Sequence, residues 1–376
     1  MRVINEGIVY EGQKGTNQQS CAFPGVCILS NGRWVSSFRA APVKESVTEQ
    51  KVLITWSDND GKSWCEPISP FSPFYINGKK GVFRSAMLAS LGSTNVLAAL
   101  CWVDCSNPAL PFFNEETEGL LDTRIFFSRS VDCGETWSEP EMMDTAPFNV
   151  PTPITGPVLF LPGGKMACQF ELNKHYYDIN IWRHSSVMMY SWDGGKTWTE
   201  HCVVSNDPDN RIYYWDQRPA VLRDGIIIDL FWTFDRVTAK YLNIHARKSS
   251  DNGCTWSDIW DTGVPGQPAP IVSLPDGKIA MVYVDRSSEP VIKVRTSNDG
   301  GKVWAQDTES IIYESCTSAQ TSNKSTMQDA WSEMGKFSVG LPATALLPGD
   351  DIIVVYYAGQ HTDFTDIRWA KVRNEP

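Results

Sequence analysis

The sequence predicts an all-β fold, a six-bladed β-propeller, and two interleaved repeats are the basis for this prediction. The first repeat is S-x-D-x-G-x-T-W, complete at 130–137, 191–198 and 249–256 and looser at 57–64 and 297–304. Its Asp can hydrogen-bond the backbone of its own turn, its Gly permits a positive φ, and its Trp is a large apolar anchor. We therefore expect each copy to close a β-hairpin as a structural element.

The second repeat is an apolar strand, a Gly-containing turn and another apolar strand. It occurs as PGVCILSNGRWVSSFR, SAMLASLGSTNVLAALCWVD, GPVLFLPGGKMACQFE, PAVLRDGIIIDLFWTFD, APIVSLPDGKIAMVYVD and PATALLPGDDIIVVYYAG. Such runs are typical of antiparallel hairpins, and no stretch shows a sustained helical period. Six copies with about four strands each predict six blades, and we expect residues 1–376 to form a single propeller domain.

The chain ends indicate how the ring closes. The sixth hairpin is followed only by DFTDIRWAKV, a single further strand, and the chain begins with the strand-like run RVINEGIVYE. We expect these N- and C-terminal strands to complete the last blade together, because closure removes open sheet edges.

Composition restricts the classes of function. The 44 acidic and 33 basic side chains give a net charge of −11, and no Lys/Arg-rich run argues for a nucleic-acid partner. No run fits a signal peptide or a membrane span, which predicts no membrane partner and a cytoplasmic chain, or a secreted or periplasmic one if a leader was removed. The ten cysteines are spread singly, so we expect them to be mostly reduced. No motif predicts a metal or a cofactor.

Propeller geometry predicts where a site would lie. In each blade the first strand begins on the face where the second strand ends, and the S-x-D-x-G-x-T-W turns lie on the other face. Ionisable and aromatic side chains gather at these positions, which is typical of a functional site. The candidate substrate contacts are Arg39, Arg84, Asp104, Glu171, Trp215, Arg218, Asp235, Arg236, Arg286 and His361, and the candidate catalytic residues are Asp216, Glu45 and His175.

With these repeats, known as Asp-boxes, the chain resembles the sialidases and their relatives over essentially its whole length. The resemblance implies three arginines that clamp a substrate carboxylate, a Tyr nucleophile paired with a Glu, and an Asp that acts as acid and base. Arg suits the clamp because its planar fork binds a carboxylate through two hydrogen bonds. A Tyr nucleophile is a known exception to the usual carboxylate pair of glycosidases.

Carried over by position, the resemblance is incomplete. The first clamp arginine falls on Ala22, and the segments PGQPAP and GKFSVGLP of blades five and six offer neither a third arginine nor a nucleophilic Tyr. Arg39 resembles the arginine that ends the second strand of the first blade, and Glu45 lies where the acid/base carboxylate is expected. Asp216 resembles the Glu that activates the Tyr, and Arg236 follows near a clamp position.

The function predicted from the sequence is an exo-acting, sialidase-like glycoside hydrolase on a terminal, acidic sugar of a glycoside or oligosaccharide. Two alternatives remain open. A polysaccharide lyase acting on a uronate would use His175 or a Tyr to remove the proton α to the carboxylate. A non-catalytic carbohydrate-binding propeller is the other, motivated by the missing arginine at Ala22. The insertion SNPALPFFNEETEGLLDT is a candidate lid.

Overall fold

The structure is a computed structural model that describes residues 1–317 and 324–374. Its regular elements are almost all strands. The first half of the chain contains β1 (Arg2–Tyr10), β2 (Ser20–Ile28), β3 (Trp34–Ala41), β4 (Lys51–Ser57), β5 (Phe74–Ile76), β6 (Lys79–Ser90), β7 (Val96–Asp104), β8 (Phe113–Asn114), β9 (Gly119–Leu120), β10 (Thr123–Ser130), β11 (Glu141–Met142), β12 (Leu159–Phe160), β13 (Met166–Leu172) and β14 (Ser185–Ser191).

The second half continues the pattern and adds one helix. It contains β15 (Glu200–Asn206), β16 (Ile212–Val221), β17 (Ile227–Asp235), β18 (Lys240–Tyr241), β19 (Asn243–Ser249), β20 (Trp260–Pro265), β21 (Gln267–Pro268), β22 (Val272–Ser273), β23 (Ile279–Asp285), β24 (Val291–Ser297), β25 (Ser310–Glu314), α1 (Met327–Met334), β26 (Val339–Leu346), β27 (Ile352–His361) and β28 (Phe364–Arg373). Two short 3₁₀ turns lie at Pro162–Gly164 and Gln306–Thr308.

The strands form a propeller-like series of antiparallel sheets in chain order. The described residues contain a sheet β26-β27-β28-β2-β3-β4 with β1 also on β28, the sheets β11-β10-β7-β6-β5, β12-β13-β14-β15, β16-β17-β19-β20 and β21-β23-β24-β25, and the hairpin β8-β9. Strand β18 also pairs with β17, and β22 with β23. The all-β prediction is confirmed.

The chain ends lie side by side, as the sequence predicts. Strand β1 pairs with β28 along its length, from Arg2 opposite Arg373 to Tyr10 opposite Ile367. In the same seven-stranded sheet, β28 meets β2 only through one parallel pair, Ser20 and Thr365. The N-terminal strand therefore extends the set β26-β27-β28.

The Asp-box turns are held by a small, repeated set of hydrogen bonds. In the copy between β10 and β11, Ser130 Oγ donates to Asp132 Oδ1 (2.8 Å) and accepts from the Gly134 N–H (2.8 Å). Asp132 Oδ1 also accepts from the Thr136 N–H (2.9 Å), and Gly134 has a φ of 94°. The structural interpretation of the repeat is confirmed, because the side chains of Ser130, Asp132 and Thr136 all form hydrogen bonds within their own turn.

Acid should weaken these turns. Hydrogen bonds from Thr255 and Ser249 lower the pKa of Asp251 from 3.8 to about 2. A carboxyl group whose pKa is lower in the folded state contributes stability above its unfolded-state pKa, and this contribution is lost as the pH falls through about 4 towards 2. We expect Asp251→Asn to melt at a lower temperature at pH 7 and to lose less stability than wild type between these pH values. Thermal melts followed by circular dichroism test this, with the exposed Asp258→Asn as control; the same pH dependence in both variants would contradict it.

A repeated irregularity in the first strands prepares the site. Register shifts interrupt β2, β16 and β26, and each contains one non-glycine residue with positive φ: Phe23 (52°), Asp216 (51°) and Leu341 (45°). A β-bulge re-aims a side chain, and a positive φ in a non-glycine residue is a strained conformation that clusters at functional sites. All three residues line one cavity.

Helix α1 is an exception to the sequence analysis, which finds no helical segment; that prediction was wrong here. The helix begins after Thr326, whose hydroxyl accepts from the Asp329 N–H while the Asp329 carboxylate accepts from the Thr326 N–H. This capping box is visible in the sequence, but eight residues are too short for a clear period. No helix in the described part of the chain is long and apolar enough to cross a membrane. All ten cysteines, which lie within that part, are free.

Candidate active site

A cavity of about 550 Å³ is lined by several of the propeller-like sheets at once. Strands β2, β6, β16, β21, β26 and β27 all contribute side chains, as do α1 and the insertion after β7. Its aromatic lining residues are Phe23, Phe112, Phe113, Trp215, Trp232, Trp331, Phe337 and Tyr357. A mostly apolar, aromatic wall with a few polar groups is the usual character of a small-molecule site.

The insertion after β7 and helix α1 meet at this cavity. The Phe113 ring stacks on Trp331 at a centroid distance of 4.0 Å and an interplanar angle of 12°. Gln328 Nε2 donates to the Glu115 carbonyl at 3.1 Å. The insertion therefore forms part of the cavity wall, and its action as a lid stays a prediction.

Asp216 is the centre of a polar network on one side of the cavity. Its backbone N–H donates to Glu171 Oε1, Gln267 Nε2 donates to its Oδ2, and Arg218 Nη2 lies 3.5 Å from its Oδ1. Gln267 Oε1 in turn accepts from Arg286 Nη1 at 2.9 Å. The bulge in β16 thus fixes a carboxylate between two arginines, with both of its oxygens engaged.

Tyr357, near the middle of β27, is buried and lines the same cavity. Its hydroxyl lies 3.5 Å from Lys44 Nζ and 3.3 Å from the Phe337 carbonyl, and Arg286 hydrogen-bonds to it. Burial raises the pKa of Tyr357, and the nearby Arg286 guanidinium opposes that rise. Burial therefore favours the neutral phenol, and the adjacent Arg286 guanidinium would stabilise a phenolate formed there by transfer of the proton to a base.

Arg84 also lines the cavity, and its guanidinium lies close to two aromatic rings. Its guanidinium carbon is 4.9 Å from the Phe23 ring centroid and 4.5 Å from that of Phe112, and Nη1 donates to Gln50 Oε1 at 3.3 Å. Stacking between two rings holds the planar fork in one orientation. Arg84 therefore presents a preorganised cation to the cavity.

The guanidinium carbon of Arg39 also lies near Phe23, 5.8 Å from its ring centroid, and Arg39 is fully buried. Its Nη2 donates to the Ser46 carbonyl at 2.8 Å, while Nε and Nη1 find no partner in the part of the chain that the structure describes. Burial and the neighbouring Arg84 lower the pKa of Arg39. This region therefore carries excess positive charge, which an anionic ligand would offset.

Comparison with known proteins places this chain in a family. The family model described as a BNR repeat-like domain matches residues 110–309, more than half of the chain. The chain belongs to the BNR repeat-like family. A sialidase of Micromonospora viridifaciens is 26% identical over 202 residues, which is 47% of this chain and 30% of that protein. The match thus spans under a third of the length of that curated relative.

Solved structures share the fold of this BNR repeat-like protein. A protein of unknown function from Dyadobacter fermentans superposes with a TM-score of 0.72 at 18% identity, covering 99% of both chains. The Hadza microbial sialidase Hz136 gives 0.69 at 12% identity, covering 98% of this chain and 68% of that one. The intramolecular trans-sialidase from Ruminococcus gnavus gives 0.63 at 14% identity and covers 100% of both chains. These similarities establish a sialidase-like fold.

The structure brings part of the predicted site together. The predicted residues that line the cavity are Glu45, Arg84, Glu171, Trp215, Asp216, Arg218 and Arg286. Lys44, Gln267, Trp331 and Tyr357 also line it, and the sequence analysis missed them. Tyr357 lies in the run VVYYAG, which the sequence predicts only as a strand. Its place near the end of the sixth hairpin, where site residues are expected, is the signal that would have identified it as a candidate.

The other predicted site residues lie outside the cavity lining. Asp104 pairs with Lys79 at 3.3 Å and Asp235 with Arg211 at 2.7 Å, both as ion pairs. The remaining four lie elsewhere: Arg39 near Phe23, Arg236 against the Tyr213 ring (5.6 Å), the exposed His175 at 3.0 Å from the Asn149 carbonyl, and His361 exposed at the end of β27. Their roles in binding or catalysis stay predictions. The described residues contain no group of three or more His, Cys, Asp or Glu side chains arranged to hold a metal ion.

Proposed function

We propose that this BNR repeat-like protein is an exo-acting glycoside hydrolase that cleaves a terminal, acidic sugar in the aromatic-walled cavity. The observation that carries the proposal is the convergence of Tyr357, Asp216, the cations Arg84 and Arg286, and the Lys44 amine on one enclosed site. The sialidase name of the Micromonospora viridifaciens relative supports the same reaction class.

We further propose that the sheets form six blades of one domain. Support comes from the single parallel pair, Ser20 with Thr365, that joins the two halves of the seven-stranded sheet. Dividing that sheet there leaves the sets β26-β27-β28-β1 and β2-β3-β4 beside the four other large sheets. Each set then carries one of the six hairpin repeats of the sequence.

In the proposed reaction Tyr357 is the nucleophile and Glu45 the acid and base. The Tyr357 phenolate attacks the anomeric carbon while the leaving oxygen takes a proton from the Glu45 carboxyl group. Water then attacks the glycosyl–tyrosine bond and gives its proton to the Glu45 carboxylate, which releases the phenolate. Two displacements at one carbon retain the anomeric configuration.

The position of Arg286 supports an acidic sugar bound by an altered clamp. A Cβ at Gly340 would overlap Arg286 Nη2 and lie 3.1 Å from the Tyr357 hydroxyl. Arg286 follows β23, in the neighbouring sheet, so its guanidinium occupies the space that a side chain of β26 would fill. An arginine held there can bind a substrate carboxylate beside the nucleophile even though GKFSVGLP contains none.

A panel of chromogenic glycosides tests the proposal. Sialosides, uronides and neutral glycosides are each incubated with the protein, with Asp216→Asn, and with Asp224→Asn in the exposed turn after the same strand as the matched control. We expect the chromophore to be released from an acidic glycoside. Asp216→Asn should lose about 100-fold in kcat/KM, because the carboxylate that orients Gln267, and through it Arg286, is gone. Asp224→Asn should match wild type.

Two other outcomes would replace the hydrolase proposal. An unsaturated sugar product would indicate a lyase, which follows if a base removes the proton α to a uronate. Silence across the panel, combined with thermal stabilisation by one of the sugars, would indicate a binding protein without turnover.

A further inference from the structure

We propose that Lys44, in its neutral form, takes the hydroxyl proton of Tyr357 and so generates the nucleophile. Lys44 has no role in the function predicted from the sequence, and the resemblance to sialidases assigns the activation of the Tyr to a carboxylate. The inference rests on the proposed function for the substrate of the phenolate, while the Lys44–Tyr357 pair can be tested without any substrate.

The hydrogen bonds around Lys44 suit a neutral amine. Lys44 Nζ donates to the Met334 carbonyl at 2.9 Å and also to the Phe337 carbonyl, and it lies 3.5 Å from Tyr357 Oη. Carbonyl oxygens only accept, so they use two N–H groups. The third contact of Nζ is with Tyr357 Oη, to which Nζ donates while the hydroxyl donates to the Phe337 carbonyl at 3.3 Å. In a neutral amine the lone pair can take this third position, and rotation of the hydroxyl then lets it accept the phenol proton.

The charges that face Lys44 favour loss of its proton. Burial first, and then Arg286, Arg39 and Arg84, lower the pKa of Lys44 well below its ordinary value, and Glu45 opposes them. Lys44 is half-buried. Arginine does not deprotonate in proteins, whereas a lysine partly withdrawn from water among other cations can lose its proton. Within this cluster of cations, Lys44 is therefore the group that can exist as a base.

Asp216 is poorly placed to do the same work. Its Oδ2 accepts from Gln267 and its Oδ1 lies 3.5 Å from Arg218 Nη2. Hydrogen bonds and positive charge stabilise the carboxylate and reduce its basicity. Asp216 therefore orients Gln267, which in turn orients Arg286. Lys44 remains as the base next to the Tyr357 hydroxyl.

The proposed proton transfer balances. The Tyr357 O–H bond breaks and its proton joins the lone pair of Lys44 Nζ, which gives a phenolate and an ammonium with no change in the net charge of the pair. The ammonium and Arg286 stabilise the phenolate oxygen until it bonds to the anomeric carbon. When water has released the sugar and the phenolate returns, Lys44 gives the proton back.

A titration that needs no substrate tests whether Lys44 is neutral beside Tyr357. The full-length protein is labelled with ¹³C at the lysine Cε, whose chemical shift reports the charge of the amine, and Lys44→Arg assigns the signal of Lys44 by its loss. We expect this signal to titrate well below the pH range of the other lysines, because burial and the neighbouring arginines disfavour the ammonium form. A midpoint among those of the surface lysines would overturn the inference, whatever the protein hydrolyses.

Kinetic measurements then distinguish two roles of Lys44, as a proton acceptor and as a positive charge. Lys44→Arg keeps a cation but cannot accept a proton, so we expect it to lose at least about 100-fold in kcat, and we expect the same loss in Lys44→Met. In wild type, kcat/KM should fall on the acidic side as Lys44 becomes protonated, and that limb should be absent from the residual activity of Lys44→Met. Near-wild-type activity in Lys44→Arg would overturn the inference. If Lys44 has a low titration midpoint but the protein hydrolyses no glycoside, the proposed proton transfer between Lys44 and Tyr357 would be supported and the proposed function would be rejected.

Discussion

Tyr357→Phe is expected to lower kcat by about four orders of magnitude while leaving the fold intact. The change removes one oxygen, the atom that the proposed mechanism places on the anomeric carbon, and loss of a nucleophile abolishes the covalent route. The ring itself remains and continues to pack with the cluster that contains Phe38, Ile353 and Trp369. Initial rates on the glycoside identified by the panel measure the effect.

The neighbouring Tyr356 provides the matched control. Because side chains alternate along a strand, Tyr356 faces away from Tyr357 and packs with Val354, Ile352 and Val372. Tyr356→Phe should keep wild-type kcat, and both variants should melt within a few degrees of wild type. If Tyr357→Phe retained more than about a tenth of the activity, Tyr357 would not be the nucleophile, and the reaction would have to begin at Asp216 or Glu171.

The fold could be predicted from the sequence because its signals are local. The Asp-box turns use side chains within eight residues of one another, and the paired apolar strands are hairpins joined by short turns. The pairing of β1 with β28 followed from counting strands, since one blade lacked a strand and the other chain end supplied a spare one. Helix α1 was missed because its single capping box, at Thr326 and Asp329, was the only local signal.

The site was harder to predict because its geometry is set between sheets. Asp216, Arg218 and Arg286 were found because charged residues at the ends of apolar strands are conspicuous in a sequence. Tyr357 and Lys44 were missed because a tyrosine in a strand and a lysine in a loop are common in any sequence. Only the folded structure shows that Lys44 Nζ lies 3.5 Å from Tyr357 Oη. The bulges at Phe23 and Leu341, which turn side chains into the cavity, leave no residue pattern that distinguishes them from regular strand.

Arg84→Met is expected to raise KM for the acidic substrate by about 100-fold with a smaller change in kcat. A hydrogen bond from a charged group contributes about 1.5–3 kcal/mol, and Arg84 offers its guanidinium at a fixed orientation between Phe23 and Phe112. Arg84 approaches the cavity from β6, whereas Arg286 hydrogen-bonds to the Tyr357 hydroxyl. Loss of Arg84 therefore removes binding that the ground state and the transition state share, whereas loss of Arg286 should lower kcat.

Arg84→Lys distinguishes this role from a general effect of charge. Lysine restores the positive charge, but a flexible ammonium cannot stack as a plane between two rings or present a bidentate fork, so we expect KM to recover only in part. Direct binding measured by calorimetry should follow the same order, with wild type tightest, Arg84→Lys intermediate and Arg84→Met weakest. A neutral sugar of the same shape should bind all three alike. Equal losses for acidic and neutral sugars would mean that Arg84 supports the Phe23 and Phe112 walls, and that the anion is bound by Arg286 and Arg218 instead.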